Sequence, residues 1–130
     1  IETCEAVQCL PDILFQGLTR GNIGVMIARG DLAVEIGAVR LAEIQEEILW
    51  LCEAAHLPVI WATQVLDTLA KKGVTSRPEI TDAAMGVRAE CVMLNKGPRI
   101  LAAVHTLAEI LIRMQAHQHK KFSLMRALHW

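Results

Sequence analysis

Three short apolar runs punctuate the chain: Gly24-Val25-Met26-Ile27, Val59-Ile60-Trp61-Ala62 and Cys91-Val92-Met93-Leu94, each bounded by turn or charged residues. Runs of this length without polar alternation predict parallel strands covered on both faces. Helical periodicity follows each of them. After the first, Leu41, Ile44, Ile48, Leu51, Cys52 and Ala55 recur at three and four residues, while Arg40, Glu43, Glu46, Glu47 and Glu53 fill the other face. This predicts an amphipathic helix ended near His56-Leu57-Pro58, where proline forces the chain out of helix. The second run leads into a helix over Val65 to Lys72, a loop from Gly73 to Pro78, and a short helix that Thr81 or Asp82 is placed to cap. The third leads into a helix that Pro98 can start, with Ile100, Leu101, Val104, Leu107, Leu111 and Met114 on one face. Upstream, Pro11 to Leu18 predicts one or two helical turns stopped by Thr19-Arg20-Gly21.

The order α-β-α-β-α-β-α predicts an α/β fold with a parallel sheet and right-handed crossovers. Three such strands cannot close a barrel, which takes eight, and an open sheet this apolar leaves edges and a face uncovered. The chain is therefore expected to be part of something larger. Residues 1–116 form the α/β unit in this reading, and residues 117–130 a tail. His117-Gln118-His119-Lys120-Lys121, followed by Phe122, Leu124, Met125, Leu128 and Trp130, departs from the repeat and is read as a short final helix or a frayed end.

Composition narrows the function classes. With 130 residues and 53% hydrophobic content the chain can bury one core, while a net charge of −1 supplies no basic stripe for nucleic acid. No apolar stretch is long enough to cross a bilayer, and Ile1-Glu2-Thr3-Cys4-Glu5 lacks the pattern of a signal peptide. A cytoplasmic chain with no membrane partner is expected. Cys4, Cys9, Cys52 and Cys91 show no C-x-x-C spacing and fall in or beside apolar segments, which favours buried free thiols.

The chemistry concentrates after the first strand. Ala28-Arg29-Gly30-Asp31-Leu32 places a carboxylate and a tight glycine turn at the carboxyl end of a buried strand, where α/β enzymes hold their ligands. The bland alternative is a surface Arg-Gly-Asp turn.

From Ile1 to about Leu94 the chain resembles the carboxyl-terminal half of the pyruvate kinase barrel. Ile1-Glu2 looks like the end of the family's Lys-Ile-Glu-Asn strand, the catalytic lysine falling just before residue 1. Ile27-Ala28-Arg29-Gly30-Asp31-Leu32-Ala33-Val34-Glu35-Ile36 is similar to Val-Ala-Arg-Gly-Asp-Leu-Gly-Val-Glu-Ile, with Ala33 for Gly. Pro58-Val59-Ile60-Trp61-Ala62-Thr63-Gln64-Val65-Leu66 resembles Pro-Val-Ile-Cys-Ala-Thr-Gln-Met-Leu, and Ser76-Arg77-Pro78-Glu79 with Asp82 resembles the Thr-Arg-Ala-Glu loop and its helix.

The resemblance implies a partial TIM (β/α)8 barrel, about its last three to four βα units, and phosphoryl transfer between phosphoenolpyruvate and ADP giving pyruvate and ATP, with Mg²⁺ and usually K⁺. Carried over, Glu2 and Asp31 are the carboxylate ligands of Mg²⁺, which favours one or two carboxylates and keeps its other positions for water and substrate. Ala28, Arg29, Gly30 and Asp31 hold the substrate, with backbone N–H groups of Gly30 and Asp31 toward its carboxylate. Thr63 places a hydroxyl near the enolate carbon, Gln64 supports it, and Thr63 and Arg29 take the catalytic roles. The K⁺ ligands, nucleotide contacts, catalytic lysine and lid domain belong to the family's amino-terminal half, so the chain by itself is not expected to turn over. Nor does its short tail support the family's allosteric control by a sugar phosphate.

Each of these residues also has a plainer reading. Glu2 can be a solvated side chain, Thr63 and Gln64 can finish a strand and cap the next helix, and Arg29 can pair with a carboxylate, as buried arginines generally do. His117 and His119 are better read as a polar helix end than as a metal site. Where the family has Ser-Gly-Glu-Thr, this chain has Asn95-Lys96-Gly97-Pro98, and the segment between Glu79 and Cys91 is shorter than usual. Lys96 can meet a phosphate at a helix start or simply be solvated. Two readings compete with a pyruvate kinase fragment. One is a Mg²⁺-dependent aldolase or lyase of the wider phosphoenolpyruvate/pyruvate barrel group, disfavoured by Ala62-Thr63-Gln64 and the Ser76 to Glu79 loop. The other is a non-catalytic half-barrel that forms a homo-oligomer or complements a separate first half.

Overall fold

The computed structural model describes residues 1–118. Its elements run α1 (Cys4–Gln8), α2 (Leu10–Arg20), β1 (Val25–Ala28), α3 (Arg29–Ile36), α4 (Ala38–Ala54), β2 (Val59–Val65), α5 (Asp67–Lys72), α6 (Arg77–Met85), a 3₁₀ turn (Gly86–Arg88), β3 (Cys91–Leu94) and α7 (Ile100–Gln118). The three strands form one parallel sheet in the order β1-β2-β3. All three lie where the apolar runs predict them, with β2 running three residues further than expected.

Side chains on one face of the sheet make the core. Ile27 and Trp61 stand side by side in register and are fully buried, joined by Leu32, Ile44, Ile48, Cys52 and Val65 from the strands and helices around them. Each such aliphatic side chain contributes roughly 1.5–3 kcal/mol by leaving water. Gly86 makes room for the Trp61 indole, because a Cβ there would lie 3.3 Å from Trp61 Cδ1 and 2.8 Å from Val92 Cγ2. The other face is not covered in the way the apolar runs suggest. Met26, Ile60 and Cys91 align across the three strands, and Met26 is 37% exposed, Ile60 half-buried and Cys91 exposed. Their short apolar sequence reads as doubly buried because such a run cannot show which neighbours supply the second cover.

Local chemistry moves several boundaries. Arg29–Ile36 is a helix that starts directly from β1, not a glycine turn; Gly30 sits in its first turn, where its poor helix propensity costs least. Ser76, not Thr81 or Asp82, caps α6: its hydroxyl accepts from the Glu79 N–H, and the Glu79 carboxylate accepts from the Ser76 N–H in a capping box. The helix after β3 begins at Ile100, two residues beyond Pro98. Its buried face is built on Ala103 and Leu107, while Leu101 and Val104 are 74% and 48% exposed, because the small Ala103 lets α7 lie close against α5 and α6. Glu47 is buried within α4 although the periodicity puts it on the polar face. Glu46 pairs with Arg88 and joins α4 to the 3₁₀ turn.

All four cysteines are free, but only Cys52 is buried, its thiol pushed up to about 11 by burial and then by the charge of Glu90. Cys9 and Cys91 are exposed, against the expectation of buried thiols. Among the described residues no helix is long and apolar enough to cross a membrane. α7 continues through the expected boundary at residue 116; His119 and the apolar tail positions Phe122 to Trp130 lie outside the described residues.

Two carboxylates lock the carboxyl ends of β2 and β3. Asp67 accepts from Asn95 Nδ2 at 2.6 Å and from Lys71 Nζ at 2.9 Å, and these bonds, Asn95 first, hold it below the usual carboxylate range. Glu79 accepts from the Thr68 N–H at 2.7 Å and from Ser76; desolvation pushes its pKa up, but these bonds outweigh it and the net shift is down. Both groups bind fewer protons folded than unfolded, so their contribution is complete above the unfolded carboxylate range of about 4 and is lost as pH falls through the lowered folded values. Urea midpoints measured from neutral pH down to pH ~3 should therefore fall through the acid range. In Glu79→Gln the neutral-pH midpoint should be lower and the acid slope shallower.

Candidate functional site

The carboxyl end of β1 is built by three neighbours. Ile1 runs beside it, its carbonyl accepting from the Ala28 N–H at 3.0 Å and its backbone nitrogen donating to the Met26 carbonyl at 2.7 Å. This sets Glu2 at the strand end. α3 then leaves β1 immediately, which puts Asp31 in its first turn, where a negative charge meets the positive end of the helix dipole. Glu2 and Asp31 consequently line one open cleft of about 440 Å³ together with Thr3, Val34 and Glu35. Both carboxylates are exposed. Among the described residues no three His, Cys, Asp or Glu side chains converge as a complete ligand set. Two protein carboxylates on an open, polar rim suit Mg²⁺, which binds through one or two carboxylates and retains water and substrate oxygens.

Glu35 is a cleft residue that the sequence reading left out. Asp31 and Glu35 are four residues apart and share a face once the segment is helical. Reading the segment as a turn hid that spacing.

On the other flank, β2 brings Thr63 and Gln64 against Gly30. The Gly30 N–H, one of the first-turn amides of α3 that lack a partner within the helix, donates to Thr63 Oγ1 at 3.1 Å. Ala28, at the N-cap position, has no side chain to do this. Thr63 thus caps α3 from another strand instead of capping the helix that follows it. Only glycine fits between: a Cβ at Gly30 would lie 2.9 Å from Thr63 Oγ1 and 3.7 Å from the Gln64 amide. Gln64 and Leu66 adopt positive φ of 60° and 49°, and the Ala62–Thr63 peptide is cis. Non-glycine residues in the left-handed region cost about 1–3 kcal/mol and persist where the surroundings over-determine them, most often at functional sites. That signal is absent from the sequence.

Arg29 turns inward. Its side chain is 9% exposed, and its guanidinium donates from Nε to the Ala62 carbonyl at 2.6 Å and from Nη2 to the Thr63 carbonyl at 2.9 Å. Nη2 also donates to Asp82 Oδ2 at 2.9 Å, and Nη1 to Asp82 Oδ1, while the plane stacks 4.3 Å from the centroid of the Trp61 ring. The paired-carboxylate alternative for Arg29 is the one its geometry follows. The structure therefore gathers Ala28, Gly30, Thr63 and Gln64 at one point, sets Glu2 and Asp31 on the adjoining cleft, and commits Arg29 to the scaffold beneath. Lys96 is exposed after β3, and Asn95 serves the lock on Asp67.

The family model described as pyruvate kinase, barrel domain, matches residues 1–98. The chain belongs to the pyruvate kinase family. It is 33% identical over 122 residues to plastidial pyruvate kinase 3, chloroplastic, of Arabidopsis thaliana, a match covering 89% of this chain and 20% of that protein. It is 38% identical over 123 residues to pyruvate kinase of Kluyveromyces lactis, covering 89% of this chain and 24% of the relative. Against pyruvate kinase 2 of Saccharomyces cerevisiae it is 42% identical over 91 residues, 65% of this chain and 18% of the relative. The chain thus spans about a fifth to a quarter of the pyruvate kinases it matches. Every residue at the two strand ends lies inside the family-model match, which ends before α7, whereas the matches to the Arabidopsis and Kluyveromyces relatives extend into that helix.

Gly30→Ala tests how tightly this strand end is packed. The added methyl should displace Thr63 and break its bond to α3, lowering stability by about 1–3 kcal/mol in urea denaturation. An unchanged midpoint would show that Thr63 and Gly30 are not in close contact.

Proposed function

We propose that this chain forms the substrate- and Mg²⁺-binding end of a pyruvate kinase barrel, serving phosphoryl transfer between phosphoenolpyruvate and ADP to give pyruvate and ATP. The observation that carries this reading is the pair Glu2 and Asp31 on one open cleft, next to the Gly30–Thr63 contact. Glu2 and Asp31 would hold Mg²⁺. When bound, the ion supplies positive charge against the phosphoryl and carboxylate oxygens of the substrate.

The chain's own residues divide the remaining work. The Gly30 N–H is taken by Thr63 Oγ1 and is not available to the substrate carboxylate, as the resemblance had it; the Asp31 N–H in the same first turn is left to meet that carboxylate, with Ala28 and Gly30 shaping the turn and Gln64 flanking it from β2. Because Thr63 Oγ1 accepts from the Gly30 N–H, the hydroxyl keeps its own proton to donate, which suits delivery to a carbon of an enolate. Arg29 acts from beneath by holding the carbonyls on either side of Thr63. Turnover requires the nucleotide, K⁺ and lysine contributions of the rest of a barrel, so the isolated chain binds without catalysing.

The same reading accounts for the open sheet face. In a complete TIM (β/α)8 barrel the row Met26, Ile60 and Cys91 faces further strands, supplied by a complementing half or by another copy of the chain. Residues 1–116 are then the barrel segment, with residues 117–130 its tail. Four free thiols agree with a reducing compartment such as the cytoplasm. The match to the pyruvate kinase barrel over residues 1–98 favours phosphoryl transfer over the aldolase or lyase chemistry that two carboxylates alone would also suit.

Calorimetry with oxalate, a mimic of enolpyruvate, tests the proposal. Saturable binding that requires Mg²⁺ and disappears in Asp31→Ala is the expected result. Binding that is unchanged in Asp31→Ala, or absent from the unmodified chain, would overturn it.

A further inference from the structure

The proton-donating hydroxyl of the preceding reading is held through a residue, Asp82, that neither lines the cleft nor neighbours it in sequence. Asp82 lies on α6, and its side chain is 34% exposed. Both of its carboxylate oxygens receive the guanidinium of Arg29, 53 residues away. The same guanidinium donates to two successive carbonyls, Ala62 through Nε and Thr63 through Nη2. A guanidinium is planar and its donors form a fixed fork, so the carboxylate that fixes its rotation also fixes where both carbonyls sit. Trp61 closes the remaining side by stacking on the plane.

We propose that Asp82 is a positioning residue for Thr63: through Arg29 it holds the Thr63 backbone at the place from which Oγ1 reaches the Gly30 N–H. This deepens, and rests on, the reading of the β2 end as the part that meets the substrate. The chain of contacts is short. Asp82 binds the fork, the fork binds the Ala62 and Thr63 carbonyls, and Thr63 Oγ1 caps α3 one residue before the metal-binding Asp31. Removing the charge of Asp82 leaves a guanidinium that is almost wholly buried without its counterion, and the fork then swings toward solvent and releases the two carbonyls.

The ¹H–¹⁵N spectrum of the chain reads this directly, with no ligand present. Thr63→Ala gives the Gly30 amide position when its acceptor is missing. Asp82→Asn, nearly the same size but uncharged, should move the Gly30 amide toward that position while the amides of Gly17 and Gly37 stay put. Asp82→Glu, which restores the charge, should bring Gly30 back. Should Asp82→Asn not fold, Arg29→Lys takes its place, since lysine keeps a charge for Asp82 but has no fork for two carbonyls, and it should displace the Gly30 amide in the same way. A Gly30 amide that stays in place in the variant that folds overturns the proposal. In calorimetry the same variant should weaken Mg²⁺-dependent oxalate binding by about tenfold. If the unmodified chain binds no oxalate, the functional reading fails, and the Gly30 resonance still decides the role of Asp82.

Discussion

One buried cation holds the two strand ends together. Arg29 leaves β1 into an interior where its charge cannot be solvated, and it is accommodated by two backbone carbonyls of β2, the carboxylate of Asp82 and the face of Trp61. An isolated buried charge would cost several kcal/mol, so the helix that carries Asp82 has to pack where its carboxylate meets the fork. The position of α6 against β2, the direction in which α3 leaves β1 and the placement of Thr63 follow from that requirement. Asp31 and Glu2 then stand on the solvent side of the same strand end, with nothing in the interior competing for them. The inward arginine and the outward aspartate, two residues apart, divide the motif into a buried and a solvent-facing half.

The strands could be read from sequence because a four-residue apolar run between turn residues has few other solutions. The path after β1 could not, because glycine and arginine before an aspartate suggest a turn, and what caps them as a helix is a hydroxyl on β2 that accepts from the Gly30 N–H. The α6 cap was readable in principle: Ser76 and Glu79 have capping-box spacing, but the proline between them drew attention to a loop. For α7 the apolar positions outnumber those that can face the core, so periodicity alone did not choose Ala103 over Leu101 and Val104. At the site, Asp31 is legible from its place at a strand end, and Glu2, Thr63 and Gln64 through motif resemblance; the resemblance gives Arg29 a catalytic role, whereas its geometry follows the plainer rule that buried arginines are paired. Glu35 was hidden by the turn reading. Asp82 is legible as a cap candidate and as part of the resemblance to the Thr-Arg-Ala-Glu loop and its helix, but not as the partner of Arg29, which lies 53 residues away.

Substitution at the family's Ser-Gly-Glu-Thr position has a structural account. Asn95 ties β3 to Asp67, and Gly97 allows the loop to press on the end of α5, where a Cβ would fall 2.2 Å from the Ala70 carbonyl oxygen. The Arg99 N–H then donates to that carbonyl at 2.9 Å and directs α7 across α5. The segment trades polar groups for a close backbone contact. It belongs to the frame around the site, whereas the cleft belongs to β1, α3 and the residues beside them.

On the function proposed above, a divalent cation binds in the cleft between residue 2 and α3. Mn²⁺ substituted for Mg²⁺ broadens the resonances of nuclei close to it, and in the ¹H–¹⁵N spectrum recorded with oxalate it should selectively broaden the amides of Glu2, Thr3 and Asp31 to Glu35. The amides of Asn95 to Arg99 should stay sharp. Broadening centred on Asn95 to Arg99, or no selective broadening at all, would contradict this account.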